Sequence, residues 1–411
     1  MAAVFNGIVL KSSRNHGVIV SRPFVVTARF STDNSKRTTA ESSRNPLFDP
    51  NLASLKRGTG GRSSFNGMIA TVFGATGLVG QVICNRLGKT GSQVIIPYRG
   101  DAYDVIPMKL IGDLGQVLFF PYNLKDEESI RKAMSHSNVV INCIGRDWET
   151  RNYKFKDVNV IGARKIAQLA RESGVKRLIH FSALNANPHP KGMILPEGSA
   201  FLATKYEGEL AVKEEFPNVT IMRPSDIYGQ GDRFLQYYAH GWRRTFDTIA
   251  LWNKGEKTIK APIFNGDVAT AVTNALKDPE TQGKTYELYG PKFYQLSELV
   301  DYIFRVLRRD FEGYKRTEMR WNIPFRARVT WTEKLCPSFP IAYLGWDKME
   351  RDHTSDVPTG LPTLEDLGVT PTEIESRIQW ELKPHRRHNY YMEELGEFSD
   401  PAPPKTVTLE D

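Results

Sequence analysis

The segment Ala70-Thr71-Val72-Phe73-Gly74-Ala75-Thr76-Gly77-Leu78-Val79-Gly80 decides the fold. Apolar and β-branched residues run into three glycines, and an amphipathic run follows from Leu78 to Leu87. This order reads as strand, tight turn, helix. Gly74 permits a sharp turn, Gly77 lets backbone approach a pyrophosphate, and Gly80 lets the helix pack closely on the strand. The free N–H groups at the helix start suit an anion. The turn is read as a dinucleotide site; a tight β–α turn without a ligand would use the same residues.

Working outward, strand and helix patterns alternate. Val94 to Arg99, Val117 to Pro121, Val139 to Gly145, Arg177 to Ser182 and Val219 to Pro224 are short apolar runs. Between them lie helical patterns at Asp126 to Met134, Asn159 to Ser173 and Lys205 to Phe216. Six strands separated by helices predict an α/β protein with a Rossmann-type, doubly wound parallel sheet. A smaller C-terminal α/β region and an irregular aromatic and basic extension follow. The second strand ends beside the place of an adenosine ribose. An acid there accepts the 2′-hydroxyl of NADH, whereas an arginine accommodates the 2′-phosphate of NADPH. Arg99 occupies that end, so NADPH is favoured over NADH or FAD, with Asp101 close by as the competing acid.

Composition bounds the rest. The 411 residues carry a net charge of +8, are 40% hydrophobic, and have a mean hydropathy of −0.41. No apolar run reaches the roughly 18 residues of a membrane span. Cys84, Cys143 and Cys336 are too few and too scattered for a disulfide framework or a metal site. Residues 1–30 hold Lys11, Arg14, Arg22 and Arg29 and no acid, which accounts for four of the eight net charges. That pattern reads as a mitochondrial transit peptide. Without it the chain is mildly basic and has no long Lys/Arg block, which argues against nucleic acid. The expected organisation is a transit peptide at 1–35, an extended arm at 36–66, a nucleotide-binding domain at 67–308 and an interaction extension at 309–411.

The ordered motifs resemble the extended or atypical short-chain dehydrogenase/reductases. They are Gly74-x-x-Gly77-x-x-Gly80, Asn123-Leu124, Cys143-Ile144-Gly145, Val158-Asn159-Val160-x-Gly162, Ser182, Arg223-Pro224-Ser225-x-Ile227-Tyr228-Gly229 and Asp267-Val268-Ala269. Longer stretches resemble one branch, the NADPH-binding accessory subunits of mitochondrial respiratory complex I. They include Gly91 to Arg99, Asn142 to Thr150, Leu184 to Asn187, Pro224 to Leu235 and Leu364 to Gly368.

The resemblance implies a mitochondrial matrix location on the inner-membrane side, close to the quinone-binding region. It implies other complex I subunits as partners, peripheral membrane contact, and no nucleic acid. Carried over residue by residue, the NADPH contacts are Gly74, Ala75, Thr76, Gly77, Leu78, Val79, Gly80, Arg99, Asn123, Leu124, Cys143, Ile144, Gly145, Ser182, Lys205, Pro224, Ser225 and Ile227.

The family's reductases use a Tyr-x-x-x-Lys pair, in which Lys holds the nicotinamide ribose and Tyr transfers the proton. Here the pair reads Phe201-Leu202-Ala203-Thr204-Lys205. Phenylalanine has no ionisable group. Tyr206 lies about 140° around the helix from Phe201 and has Leu210 four residues on. No catalytic residue is therefore assigned; His180 and Asp226 are the acids that could rescue chemistry. An active NADPH-dependent reductase or epimerase and an organellar RNA-binding protein of the same fold are the competing readings.

Beyond Leu307 the alternation ends. Trp321, Phe325, Trp331, Phe339, Tyr343 and Trp346 interleave with basic residues, and Pro324, Pro337 and Pro340 are expected to break any long helix. A helix is expected from Thr370 to Leu382. His385 and His388 lie three apart with no further ligand beside them, so no metal site is assigned.

Overall fold

In the computed structural model the described residues are 58, 60–245, 247–310, 313–336, 338, 340–387 and 399–408. The basic N-terminus with Lys11, Arg14, Arg22 and Arg29, most of the arm, Pro337, Phe339, His388, Tyr390 and Tyr391 lie outside them.

The first half builds the sheet. In chain order come β1 (Ile69–Phe73), α1 (Leu78–Lys89), β2 (Gln93–Tyr98), β3 (Val117–Pro121), α2 (Glu127–Met134) and β4 (Val139–Asn142). Then come α3 (Ala163–Glu172), β5 (Arg177–Phe181), α4 (Ala200–Glu215) and β6 (Thr220–Pro224). The second half adds β7 (Ile227–Tyr228), α5 (Leu235–Ala239), β8 (Arg244–Thr245), β9 (Thr248–Leu251), β10 (Ile259–Lys260) and β11 (Ile263–Phe264). It continues with α6 (Asn265–Lys277), β12 (Thr285–Leu288), β13 (Phe293–Gln295), α7 (Leu296–Val306), β14 (Lys315–Glu318) and α8 (Ile323–Leu335). Last are α9 (Trp346–His353), α10 (Ile374–Glu381) and β15 (Thr406–Val407).

The main sheet has seven strands in the order β12-β6-β5-β4-β1-β2-β3, and every neighbouring pair is parallel. The doubly wound sheet is therefore as the sequence predicts, with β12 as an additional edge strand. Alternation sorts the side chains to two faces. Ala70, Val72, Val139, Ile141, Ile179 and Met222 join α1 and α6 in one core. Phe73, Val140, Leu178 and Ile221 join α2, α3 and α4 in the other. On α1 the buried residues are Gly80, Ile83, Cys84, Leu87 and Gly88, a helical stripe. Arg177 is buried in β5 because the end of α6 satisfies it: its guanidinium donates to the carbonyls of Ala275 and Asp278 at 2.7 and 3.1 Å.

A third core gathers α5, α7, α8, α9 and α10 around Tyr237, Leu299, Phe325, Met349 and Ile378. Two details differ from expectation. Pro324 sits in the first turn of α8, where a missing N–H costs nothing, so it starts a 13-residue helix instead of breaking one. The chain beyond 309 is also not set apart from the rest. Leu364, Leu367 and Val369 join the core that α1 and α6 share with the sheet, and Glu287 of β12 accepts hydrogen bonds from the backbone N–H and hydroxyl of Thr359. The helix expected from Thr370 is α10, beginning at Ile374. Among the described residues no helix is long and apolar enough to cross a membrane.

His353 locks α9 to the second half. Its Nε2 accepts from the Trp252 N–H at 3.0 Å, and its Nδ1 lies 2.8 Å from the Met349 carbonyl, to which it donates. Burial pushes the imidazole down to about 4, so it stays neutral in the fold. The unfolded chain takes up this proton near pH 6.5, so acidification between about 6.5 and 4 favours unfolding. His353→Gln should make the fall of stability over that window shallower by about one proton, roughly 1.4 kcal/mol per pH unit. Urea unfolding across pH 4 to 7 checks this, and an unchanged slope would contradict it.

Candidate nucleotide site

The C-terminal ends of β1, β4, β5 and β6 open into a cleft with a cavity volume of about 260 Å³. Gly74, Gly77, Leu78, Val79 and Gly80 form one wall. Gly74 has φ +78°, and a Cβ there would meet the Cys143 carbonyl at 2.8 Å. At Gly80 a Cβ would meet the Gly74 carbonyl at 2.3 Å, so any side chain would push α1 off the turn. The first helical bond runs from the Gln81 N–H to the Gly77 carbonyl at 3.0 Å, which leaves the Leu78, Val79 and Gly80 N–H groups for a ligand. No side chain caps this end, and its first turn holds no acid. These features fit a pyrophosphate.

Opposite the turn, Cys143, Gly145, Ser182, Pro224, Ser225 and Ile227 line the cleft. Ser182 is buried on the cleft wall and its hydroxyl has no hydrogen-bond partner, an orphaned group of the kind a ligand satisfies. Ser225 donates to the Ala261 carbonyl at 2.5 Å. Lys205 is buried beside Gly145 and donates to the Phe181 carbonyl at 3.0 Å. Burial pushes its ammonium down to about 8, with Asp147 pulling the other way.

The remaining expected contacts stand apart from the lining. Ala75 is buried in the core and Thr76 is exposed, its carbonyl accepting from the Gln81 side chain. The Ile144 N–H donates to Asn142, and Leu124 packs on Gly162. Asn123 accepts from the Tyr153 hydroxyl at 3.1 Å, and Arg99 lies over the Tyr153 ring at 5.2 Å. Asp101 is turned away into its own loop, where it accepts from the Tyr103 N–H.

Phe201 and Lys205 share one face of α4, as their spacing requires. The Phe201 ring lines the cleft and is covered by the Arg351 guanidinium at 4.3 Å. His180 is held neutral and Asp226 is ion-paired. Burial pushes His180 down to about 3, and its Nδ1 takes a hydrogen bond from Asn142. Asp226 pairs with Lys260 at 2.9 Å; burial raises its carboxyl, but Lys260 and the other cations around it hold it below its usual range.

The substrate side of the cleft is built from residues that sequence reasoning left unassigned. Asp147 bridges Arg233 and Arg351, each at 2.9 Å. Burial pushes this carboxyl up, yet the two guanidiniums hold it well below the usual range. Lys260 sits between Asp226 and Asp356, and Lys348 pairs with Asp352 at 2.7 Å. Lys348 and Arg351 come from α9, about two hundred residues after Asp147, and no local pattern links them. Aspartate in the quoted Asn142 to Thr150 stretch was the only available signal.

A family model described as the NAD dependent epimerase/dehydratase family matches residues 70–288. The Mus musculus protein NADH dehydrogenase (ubiquinone) 1 alpha subcomplex subunit 9, mitochondrial, is 46% identical over 357 residues, covering 86% of this chain and 89% of its own. The Neurospora crassa NADH-ubiquinone oxidoreductase 40 kDa subunit, mitochondrial, is 36% identical over 336 residues, covering 82% and 84%. Among solved structures, Citrobacter sp. triphenylmethane reductase superposes with a TM-score of 0.57 at 16% identity, over 77% of this chain and 99% of its own. Thermotoga maritima UDP-glucose 4-epimerase gives 0.54 at 15% identity, over 80% and 100%. At those identities the likeness is one of fold.

Asp147→Asn should cost about 3 kcal/mol in urea unfolding, because it leaves Arg351 buried without its counter-charge. A loss below about 1 kcal/mol would contradict the bridging role.

Proposed function

The chain belongs to the NAD dependent epimerase/dehydratase family, and on that premise we propose that it is an accessory subunit of mitochondrial respiratory complex I that holds NADPH as a structural ligand. The relatives in mouse, Neurospora and Dictyostelium carry the names of complex I subunits, which supports the assignment to that assembly and its subunits as partners. The single observation that carries the non-catalytic part is Phe201 lying against Arg351, where a reductase of this fold keeps its acid.

When bound, NADPH supplies a hydride. The chain's own residues hold the nucleotide without completing the reaction. The glycine turn and the α1 N-terminus take the pyrophosphate, while Ser182 and Lys205 hold the nicotinamide end. Arg99 favours the 2′-phosphate. Proton transfer has no donor, and the space beside Phe201 is walled by ion pairs that are already satisfied. Ser182 and Lys205 are what an active reductase would retain; Phe201 and the Asp147 bridge oppose that reading.

The location that goes with this role is the matrix side of the inner membrane. Trp321, Ile323, Trp331 and Leu335 are exposed on and beside α8, among Arg320, Arg326 and Lys334. An apolar stripe edged by cations suits an anionic lipid surface.

Gentle fractionation of mitochondrial inner membranes tests the assignment. The chain should migrate with the respiratory assembly and release NADPH on denaturation. Migration as a free soluble enzyme, or release of NADH or FAD, would overturn it. Phe201→Tyr alone should give no measurable oxidation of NADPH with simple carbonyl substrates, because Arg351 still covers the ring; steady turnover would contradict the structural role.

A further inference from the structure

The main sheet ends on one side at β3, which pairs with β2 alone. Two bonds fix which of its backbone groups are used. The Val94 N–H donates to the Gln116 carbonyl, and the Tyr122 N–H donates to the Tyr98 carbonyl, both at 2.9 Å. Backbone groups alternate in direction along a strand. Leu118 and Phe120 therefore also face β2, whereas Val117, Phe119 and Pro121 turn theirs to the open edge. Pro121 has no N–H to offer there, which only an edge strand tolerates. An open edge of this kind is a template for a further strand.

Apolar side chains are exposed around the same edge. The crossover Ala102–Leu110 packs on the α1 side through Val105 and Met108, yet leaves Tyr103, Ile106 and Leu110 exposed. Leu114, in the turn into β3, is fully exposed. Leu118 is exposed on the sheet face opposite Val117, since strand neighbours alternate.

The first described residues of the chain are fastened at this edge. The Ser63 hydroxyl donates to the Asp113 carboxylate at 2.6 Å, one residue before Leu114. The Asn66 N–H donates to the Gly91 carbonyl at 3.1 Å, and its side-chain amide donates to the Thr90 carbonyl and the Ser92 hydroxyl. Gly58 folds back on Ser64, so that a Cβ added to it would lie 2.9 Å from that of Ser64. The chain preceding Gly58 thus joins the fold at the start of β3. Its last seven residues read Asn51-Leu52-Ala53-Ser54-Leu55-Lys56-Arg57, with no proline and no acid. Seven extended residues span about 23 Å, against roughly 17 Å for a five-residue strand.

We infer that residues 51–57 add to β3 as an antiparallel strand and close the open edge of the main sheet. The direction follows from the junction: the segment ends where β3 begins, so the two run in opposite senses. In that pairing Leu52 and Leu55 fall on opposite faces, as the exposed apolar residues around β3 do. Lys56 and Arg57 fall near Asp113. The occupant is this chain's own arm because the junction tethers it beside the edge, which gives it a high effective concentration there. The inference is independent of the nucleotide.

Hydrogen exchange of the full chain, read at single-residue resolution, tests the strand. The Val117 and Phe119 amides should be protected although β2 does not bond them. Two double variants disturb the arm. Ala53→Pro with Ser54→Pro removes a donor facing β3 in either register, and Leu52→Asp with Leu55→Asp removes the apolar anchors. Each should speed exchange at Val117 and Phe119 at least about tenfold. The Leu118 and Phe120 amides, bonded to β2, should change by less than about twofold. Exchange at Val117 and Phe119 as fast as in a free amide of the wild type would overturn the inference. Equal acceleration of all four amides would overturn it in favour of a general loss of structure. Protection that survives both variants would also overturn it, and growth of that protection with protein concentration would identify a second copy of the chain as the occupant.

Discussion

The Asp147 carboxylate lies between two guanidiniums, Arg233 from the loop before α5 and Arg351 from α9, and much of the molecule is arranged through that contact. Asp147 itself stands two residues after Gly145, on the loop that leaves β4 and walls the nucleotide cleft. One ion bridge therefore ties the nucleotide side of the sheet to the C-terminal half. Removing the Arg351 guanidinium and most of the Asp147 carboxylate from water is costly, and it is tolerated because they pair at hydrogen-bonding distance. The α9 helix that supplies Arg351 reaches further. Its Glu350 accepts three backbone N–H groups from Met193, Ile194 and Leu195, and its Asp347 accepts from Ser199 and the Phe201 N–H at the start of α4. The segment 193–195 and the helix that carries Phe201 and Lys205 are thus both held by α9.

This arrangement gives the two ends of the cleft different chemistry. Beside Phe201, Asp147, Asp226 and Asp352 are ion-paired with the cations around them. Where β2 and β3 end, Arg99 and Lys125 lie over the Tyr153 ring instead of a carboxylate. The proposed role is retention of an anionic nucleotide rather than turnover. A ligand that binds only the folded chain adds stability by mass action, in proportion to the logarithm of its concentration over its dissociation constant. The complex I role then draws on the ordered surface that the loaded fold presents, including the apolar and basic face of α8.

How much of this was legible in the sequence follows from the range of each interaction. The glycine turn, the alternating strands and the Phe201–Lys205 pair are local patterns of period two or near four, and the structure reproduces them. The edge strand β12 was missed because Thr285 to Leu288 is a short run with a charged residue inside it; Glu287 is buried there only because Thr359 returns to meet it. Pro324 was misread because proline ends a helix in its interior and begins one in its first turn, and which applies depends on where Asn322 caps. The Asp147 bridge had no sequence signature at all. Ion pairs between residues about two hundred positions apart obey no periodicity, and they become visible only when the fold brings their elements together.

In the proposed role the nucleotide is part of the folded structure. The most direct test follows NADPH release and loss of far-UV circular dichroism in the same urea titration of the loaded chain. The account predicts coincident transitions with one midpoint, rising as free NADPH is raised. Release at low urea while the secondary structure stays intact, with a midpoint indifferent to NADPH, would contradict it.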